Sequence, residues 1–524
     1  MDRNAPRLLS VFLLLLVCLP SAARLAAAEE PVDLDVVTRI REEGFRHSQV
    51  METVRHLTDE IGPRLTGSPQ AKEASEWTRK TLAGWGLANA HLEPFEFGRG
   101  WSYSSASVTL LQPRTPLFAV PKAFTAGTKG PIHGSIAAVK ISTEADFAQY
   151  HGKLAGKILL FSDPPPPREE DAEPRHYSAD DLHELSEYRV PSDPEAREKR
   201  YRERVRMRRL RNKLFIEEKV LAILEGGDAP WGIVRVSGGG SYKPGEDPGP
   251  PSLVLPAEQF SRLQRLSEKN PAVEVEVDVK ARFHDDDRNS YDAIAEIPGT
   301  DKADELVMAG AHLDSWHSGT GATDNAAGSA VVMEAVRILK AIGVQPRRTI
   351  RVALWTGEEQ GLIGSYAYVG QHFGSRPVDA DGTSRYGWRS TGPVEVKPDH
   401  AKLAAYFNID NGSGKIRGIY AESNSAAAPI FEAWLRPLHD LGADTVTLRH
   451  TGGTDHLPFD SIGLPGFQFI QDGLDYTVMT HHTNMDTYDH LESEDMEQAS
   501  VVLAVFLYQA AMRPEMMPRK PLPH

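Results

Sequence analysis

At 524 residues, 40% hydrophobic and 25% charged, the chain is too long for one small core and has the balance of an ordinary soluble globular protein of roughly two or three domains. Its formal net charge of -15 excludes a protein that grips phosphate backbones, which requires clustered Lys and Arg, so no nucleic-acid partner is expected. A single cysteine, Cys18, excludes an internal disulfide.

The chain opens with Arg3 and Arg7, the apolar run Leu8 to Leu19 and the small residues Ala26 to Ala28, the pattern of an export signal. Cleavage is expected near Ala28, which makes residues 1–28 a signal peptide and the mature protein secreted or periplasmic. The run is too short to span a bilayer, and no later stretch reaches about 18 uninterrupted apolar residues, so no transmembrane segment is expected. Cys18 leaves with the signal, and stability must then come from core size and bound metal.

Val50, Val54, Leu57 and Ile61 form a helical stripe ahead of the break IGPRLTGS, and a second helix runs from Ala71 to Trp85 and stops at Gly86. Strand-like spacing follows in LEPFEF and SVTLLQP. A middle block, 116–283, reads as a separate unit. It contains the strand GKILLF, a helix ending in EKVLAILEGG, the strand GIVRV, the strand SLVLP and the helix AEQFSRLQRL. Its last strand, VEVEVDV, alternates Val273, Val275, Val277 and Val279 with acidic residues, as expected when one face is wet. The Arg-dense stretch from Arg197 to Lys213 has interleaved Glu and few apolar residues, and reads as a solvated helix.

After Asn289 strands and helices alternate. YDAIAEIPG, ELVMAGAH, TIRVALWTG, LAAYFNID and GFQFI are predicted strands, and Gly328–Lys340, Ile363–Gln371, Ala427–Leu441 and Met496–Ala511 predicted helices. This rhythm predicts an α/β fold with a mostly parallel, mixed sheet sandwiched by helices.

The chemistry gathers in GAHLDSW, GATDNAAG, WTGEEQG, YFNIDNG and HHTNMDT, mostly at or just past the ends of predicted strands, where ligands collect in open α/β sheets. Each motif alone is weak; their joint order is not. Asp324 is the natural bridge between two cations, with His312 and Asp410 completing one and Glu359 and His482 the other. Imidazole and carboxylate donors suit two zinc ions per chain, with cobalt or manganese as substitutes. Neighbouring side chains point differently, so Glu358 is free to act as general base beside the ligand Glu359. Asp314 lies on the same side as His312 and is expected to accept its second imidazole N–H. Asp455 and His456 fit a cap or a core hydrogen bond as well as a catalytic part, and Trp316 and His317 fit a pocket border or an ordinary rim. His372 and His450 read as surface residues.

The ordered set HLDS, TDNAAG, EEQGLIGS, NID and HHTNMDT resembles the secreted di-zinc aminopeptidase and glutamate carboxypeptidase family, and IGPRLTGS extends the likeness towards the N-terminus. The middle block resembles the protease-associated domain inserted in such enzymes. The resemblance implies a catalytic domain split into 29–115 and 284–524 around the insertion 116–283, and exopeptidase activity on short peptides, an aminopeptidase being favoured. Alternatives are glutamate-carboxypeptidase-like or dipeptidase activity, a single-zinc glutaminyl cyclase, and a non-catalytic receptor-like scaffold. Two features depart from the family or need a choice. Gly453 stands where some members carry an oxyanion-steadying Tyr, leaving Tyr476 as a candidate donor. Of His481 and His482, the one directly before Thr483 matches the pattern.

Overall fold

The computed structural model describes residues 30–161, 174–190, 194–377 and 392–523. The expected export signal with its cleavage site lies outside them, as do Cys18 and part of the stretch after Pro164. In chain order the strands are β1 (Ala88–Glu96), β2 (Gly100–Leu111), β3 (Arg114–Leu117), β4 (Val120–Pro121), β5 (Ile132–Val139), β6 (Ile158–Phe161), β7 (Ala222–Gly226), β8 (Ser252–Leu255) and β9 (Glu274–His284). They continue with β10 (Asn289–Ile297), β11 (Lys302–His312), β12 (Arg348–Trp355), β13 (Gly374–Ser375), β14 (Glu395–Val396), β15 (Leu403–Asn408), β16 (Ile416–Tyr420), β17 (Thr445–Thr447) and β18 (Gly466–Gln471).

Two eight-stranded sheets hold most of these strands. The first has the order β1-β10-β12-β11-β15-β18-β16-β17, and the second β3-β2-β9-β5-β6-β7-β8-β4. In the first, β12, β11, β15 and β18 run parallel, β1 and β10 pair antiparallel to their neighbours, and β16 pairs antiparallel to β18 and parallel to β17. The fold is therefore the expected mixed α/β sheet between helices. The parallel strands read as unbroken apolar runs because both their faces are covered: Val307 to Ala311 and Leu403 to Phe407 are buried throughout. One face carries the helices Ala327–Ala341 and Ser493–Met512, whose valines and leucines meet Phe407, Phe469 and Phe506 in the main core. The other face buries Trp355, Tyr368, Phe373, Tyr406 and Phe459.

A buried polar chain ties the central strands together just below the edge where their C-termini end. Trp355 Nε1 donates to Tyr406 Oη at 2.7 Å, Tyr406 Oη donates to Asn408 Oδ1 at 2.6 Å, and Asn408 Nδ2 donates to Gln468 Oε1 at 2.9 Å. Gly310 makes room for it: a Cβ there would stand 2.5 Å from Tyr406 Oη and 2.6 Å from Trp355 Nε1. Breaking such a network inside a core leaves unpaired donors and acceptors, at about 1–3 kcal/mol each.

Three readings of the middle block change. AILEG, expected as a helix end, is β7, held parallel between β6 and β8 with Ala222, Ile223 and Leu224 buried; a short apolar run does not reveal its period. GIVRV joins neither sheet, and Arg235 forms an isolated bridge with Thr483. The second sheet also starts before 116, because β2 pairs along most of its length with β9 and with β3. The alternation in β9 is as expected, Val275, Val277 and Val279 being buried, as is Val273 just ahead of it. The Arg-dense stretch lies on the helix Pro194–Glu217, anchored by Met207, Leu214 and Phe215. Among the described residues no helix is long and apolar enough to cross a membrane.

Candidate metal centre

His312 is the last residue of β11, Glu358 and Glu359 follow β12 in a turn, and Asp410 follows β15, so parallel pairing delivers them to one edge. Asp324 sits just ahead of the helix Ala327–Ala341, where Asn325 Nδ2 donates to Ile409 O at 2.9 Å and Gly328 N donates to Asn325 Oδ1 at 2.9 Å. His482 arrives on the loop after Thr480 with a left-handed φ of +62°.

The six side chains converge. His312 Nε2 lies 3.2 Å from Asp324 Oδ1 and 3.3 Å from Asp410 Oδ1, and His482 Nε2 lies 3.1 Å from Asp324 Oδ2 and 3.0 Å from Glu359 Oε2. Glu358 is close enough for its charge to act on His312. His481 Nε2 stands 3.8 Å from Asp324 Oδ2, further than His482. Asp314 departs from expectation. His312 Nδ1 meets the Asp314 backbone carbonyl at 2.9 Å, whereas the carboxylate is 3.6 Å away. That carboxylate instead accepts from Thr66 Oγ1 at 2.6 Å and from the backbone N–H groups of Glu358 and Glu359 at 3.3 and 3.4 Å. The chain turns after His312, so the carbonyl reaches the ring first and the carboxylate fixes the two-glutamate turn.

The charge balance of the site calls for cations. Burial works against the charge of Asp324, but the two histidines more than offset it and hold its carboxyl well below the usual range. Burial also pulls His312 down, and Asp410, Glu358, Asp314 and Asp324 outweigh it and raise the imidazole well above its usual value. His482 is pushed up to about 10, burial being outweighed by Glu359 and Asp324, while burial raises Glu359 to about 7. Protons thus compensate a surplus of buried carboxylates, the place a metal would take. Direction agrees with charge: Asp324 Oδ2 and Asp410 Oδ1 are buried and accept no hydrogen bond despite the nearby nitrogens. Donor atoms within 3.0–3.3 Å that do not aim at one another fit convergence on common centres. The residues present fit a metal.

Residues that the sequence reading passed over hold this arrangement. Asp486 accepts from Thr323 N at 2.6 Å, Thr323 Oγ1 at 2.9 Å and Asp324 N at 3.3 Å, joining the Asp324 loop to the His482 loop. Its place four residues after His482, within HHTNMDT, was the available signal. Arg64 is fully buried and donates to the carbonyls of Leu57, Gly62, Leu313, Thr320 and Gly321. Asp455 accepts from Ser365 Oγ, and its other oxygen is buried without a hydrogen bond. His456 is fully buried, while His450 Nδ1 contacts the buried Glu422 at 2.6 Å and His372 Nε2 contacts Glu93 at 2.7 Å.

Trp316 packs edge-on to His482, with ring centroids 6.2 Å apart. His317 is buried against Trp101 and Tyr103, and its Nε2 donates to Pro121 O at 2.7 Å. Burial lowers His317 to about 4, below the roughly 6.5 of an unfolded histidine. A lowered value means that the folded state binds this proton less readily than the unfolded state. The associated stability is present above about pH 6.5 and lost as pH falls towards 4. Replacing His317 with Gln is expected to flatten that part of the stability profile, measured as urea midpoints at pH 7, 6 and 5; parallel profiles for the two proteins would refute it.

Residues 292–507 match the model of Peptidase family M28. Carboxypeptidase Q of Bos taurus is 28% identical over 479 residues, covering 91% of this chain and 88% of its own. Aminopeptidase YwaD of Bacillus subtilis (strain 168) is 27% identical over 218 residues, 41% of this chain and 43% of its own. The crystal structure of a Peptidase M28 precursor from Shewanella amazonensis SB2B shares the fold, with a TM-score of 0.65 at 24% identity over 94% of this chain and 98% of that one. The segment that contributes His312, Asp324, Glu358, Glu359, Asp410 and His482 is therefore the part of the chain that matches Peptidase family M28.

Proposed function

We propose that this protein is an exopeptidase that removes the amino-terminal residue of short peptides with the help of two zinc ions, for which cobalt or manganese can substitute. The observation that carries the reading is Asp324, whose two carboxylate oxygens face His312 and His482 at 3.2 and 3.1 Å from opposite ends of one buried site. His312 and Asp410 would hold one ion, Glu359 and His482 the other, and Asp324 both. When bound, the ions polarise the scissile carbonyl and make the attacking water more acidic. Glu358 handles the proton. Burial, with Asp410, Asp455 and Glu359 nearby, raises its carboxyl well above the usual range, although His312 opposes the shift. A raised carboxyl can take the proton of the water and return it to the departing amine.

Charge supports the amino end of the peptide as the one recognised. A free amino terminus brings a cation to a site rich in carboxylates, and Asp455 Oδ2 is buried there without a hydrogen bond. The nearby guanidiniums are engaged: Arg64 by five carbonyls, and Arg235 by the His481 carbonyl and by Asp228 at 3.2 Å. The whole-length likeness to Carboxypeptidase Q favours a second reading, a carboxypeptidase or dipeptidase. Aminoacyl chromogenic substrates assayed beside N-blocked dipeptides, with and without chelator, separate the two: chelator-sensitive turnover of only the blocked peptides would overturn the aminopeptidase. A glutaminyl cyclase using one ion would leave half of the donor set idle, and a non-catalytic scaffold would have no use for Glu358.

Tyr476 is the candidate donor to the developing oxyanion. Its ring packs at a tilt against His481 with centroids 4.8 Å apart, and a Cβ at Gly412 would stand 3.0 Å from Tyr476 Cβ, so that glycine lets the ring settle. Burial and the site's carboxylates raise its hydroxyl well above the usual range, keeping it a donor. Tyr476→Phe is expected to lower kcat by about 10²-fold with metal content unchanged, and an unaltered kcat would remove Tyr476 from this role. In our reading the second sheet belongs to a protease-associated unit inserted in a discontinuous catalytic domain, and an export signal sends the enzyme to the periplasm or the exterior.

A further inference from the structure

The segment Ile233–Val236 lies in the chain between β7 and β8 of the second sheet, yet the backbone hydrogen bonds of Val234 and Val236 go to the loop that carries His482. Val236 N donates to the His482 carbonyl at 3.0 Å, Asn484 N donates to the Val234 carbonyl at 3.0 Å, and Val234 N donates to Asn484 Oδ1 at 2.7 Å. Between these bonds Arg235 bridges antiparallel to Thr483, donates its guanidinium to the His481 carbonyl and is braced by Asp228. Val234 and Val236 are buried in a cluster with Val120 of β4 and Val254 of β8, so the segment is anchored in the packing of the second sheet.

The clamp addresses a particular difficulty. His482 has a φ of +62°, a left-handed backbone that a residue with a Cβ adopts only where its surroundings hold it. Its carbonyl accepts from Val236 N on one side and from Ser318 Oγ at 3.1 Å on the other, which fixes the peptide plane and aims the ring at Glu359 and Asp324. His312 needs no such help. It ends a central strand paired with β12, and its ring is oriented by the Asp314 carbonyl. The two ends of the metal centre are therefore built differently, one by the first sheet and the other by a segment reaching over from the second.

We propose that Ile233–Val236 is a positioning element of the metal centre, which by clamping His482–Asn484 sets the affinity of the half-site formed by His482, Glu359 and Asp324 and leaves that of His312 and Asp410 to the first sheet. Arg235 and Asn484 are its positioning residues, acting through His482. This inference rests on the two-cation reading above.

The test uses the full chain loaded with cobalt(II), dialysed against graded chelator, with metal per chain measured by atomic emission and by the visible cobalt absorption. The wild type is expected to release its two ions in two steps. Asn484→Ala, which removes the acceptor for Val234 N, is expected to shift the weaker step by about 10- to 100-fold in chelator and leave the tighter step in place. Arg235→Ala is expected to act in the same direction. Asn484→Asp keeps an acceptor oxygen and should stay close to the wild type in both release and metal-free unfolding midpoint, and whatever the midpoint of Asn484→Ala and Arg235→Ala, their tighter release step should stay in place. Superimposable release from wild type and Asn484→Ala overturns the proposal. So does a shift of both steps together with a lowered midpoint, which marks general loosening, or release of both wild-type ions in one indivisible step. A wild-type chain that holds a single ion sinks the two-cation reading and this inference with it. A chain holding two, whose variants release them unchanged, sinks this inference alone.

Discussion

Glu358→Gln is expected to keep its full metal content and lose about 10²- to 10⁴-fold in kcat, the range that one positioned general base contributes. The substitution preserves size and removes only the ability to take a proton, while Glu359 next to it still faces His482 at 3.0 Å. The turn should also survive, because the backbone N–H groups of both glutamates remain bonded to the Asp314 carboxylate. Metal analysis and steady-state kinetics on one preparation decide the matter. A variant that loses metal would mean that Glu358 is a ligand and that the roles of the two glutamates are exchanged.

Asp324→Asn should do the opposite, removing the metal and leaving the fold. One charge is shared by both ends of the site, so its loss is expected to bring metal below one ion per chain and activity down to that of chelated wild type. Asp410→Asn, which touches only the His312 end at 3.3 Å, is expected to cost one ion. The histidines supply an independent readout. With Asp324 neutral, His482 should titrate below its present value of about 10, followed by NMR of the metal-free protein. Equal metal loss in the Asp324 and Asp410 variants would remove the bridge.

The convergence was legible for His312, Glu358, Glu359 and Asp410 because they end or follow apolar runs, and parallel strands deliver such positions to one edge whatever the intervening loops do; Asp324 and His482 arrive on loops and were legible only from the joint order of the motifs. Asp314 shows the limit of that reasoning. Spacing put it on the correct side of His312, but whether its carbonyl or its carboxylate met the ring depended on a turn that periodicity does not encode. Arg64 and Thr66 act through bonds to residues roughly 250 positions away, and nothing local marks them as partners; Asp486, about 160 positions from Thr323, is marked only by its place within HHTNMDT. GIVRV has the composition of a sheet strand and spends its hydrogen bonds on a loop, because alternation reveals a buried face and not the identity of the partner. AILEG was misread for the related reason that five residues do not distinguish a strand from the last turn of a helix.

The guanidinium of Arg64 also bears on protein engineering. It ties the backbone at 57–62 to that at 313 and 320–321, within the His312–Asp324 stretch. Someone trimming the gene to the family-matching segment 292–507 would discard this knot, together with the Thr66 hydroxyl seated on Asp314. The excised fragment would carry every proposed ligand and still lack the frame that spaces them, so a minimal recombinant version should begin no later than the first helix, at Leu34.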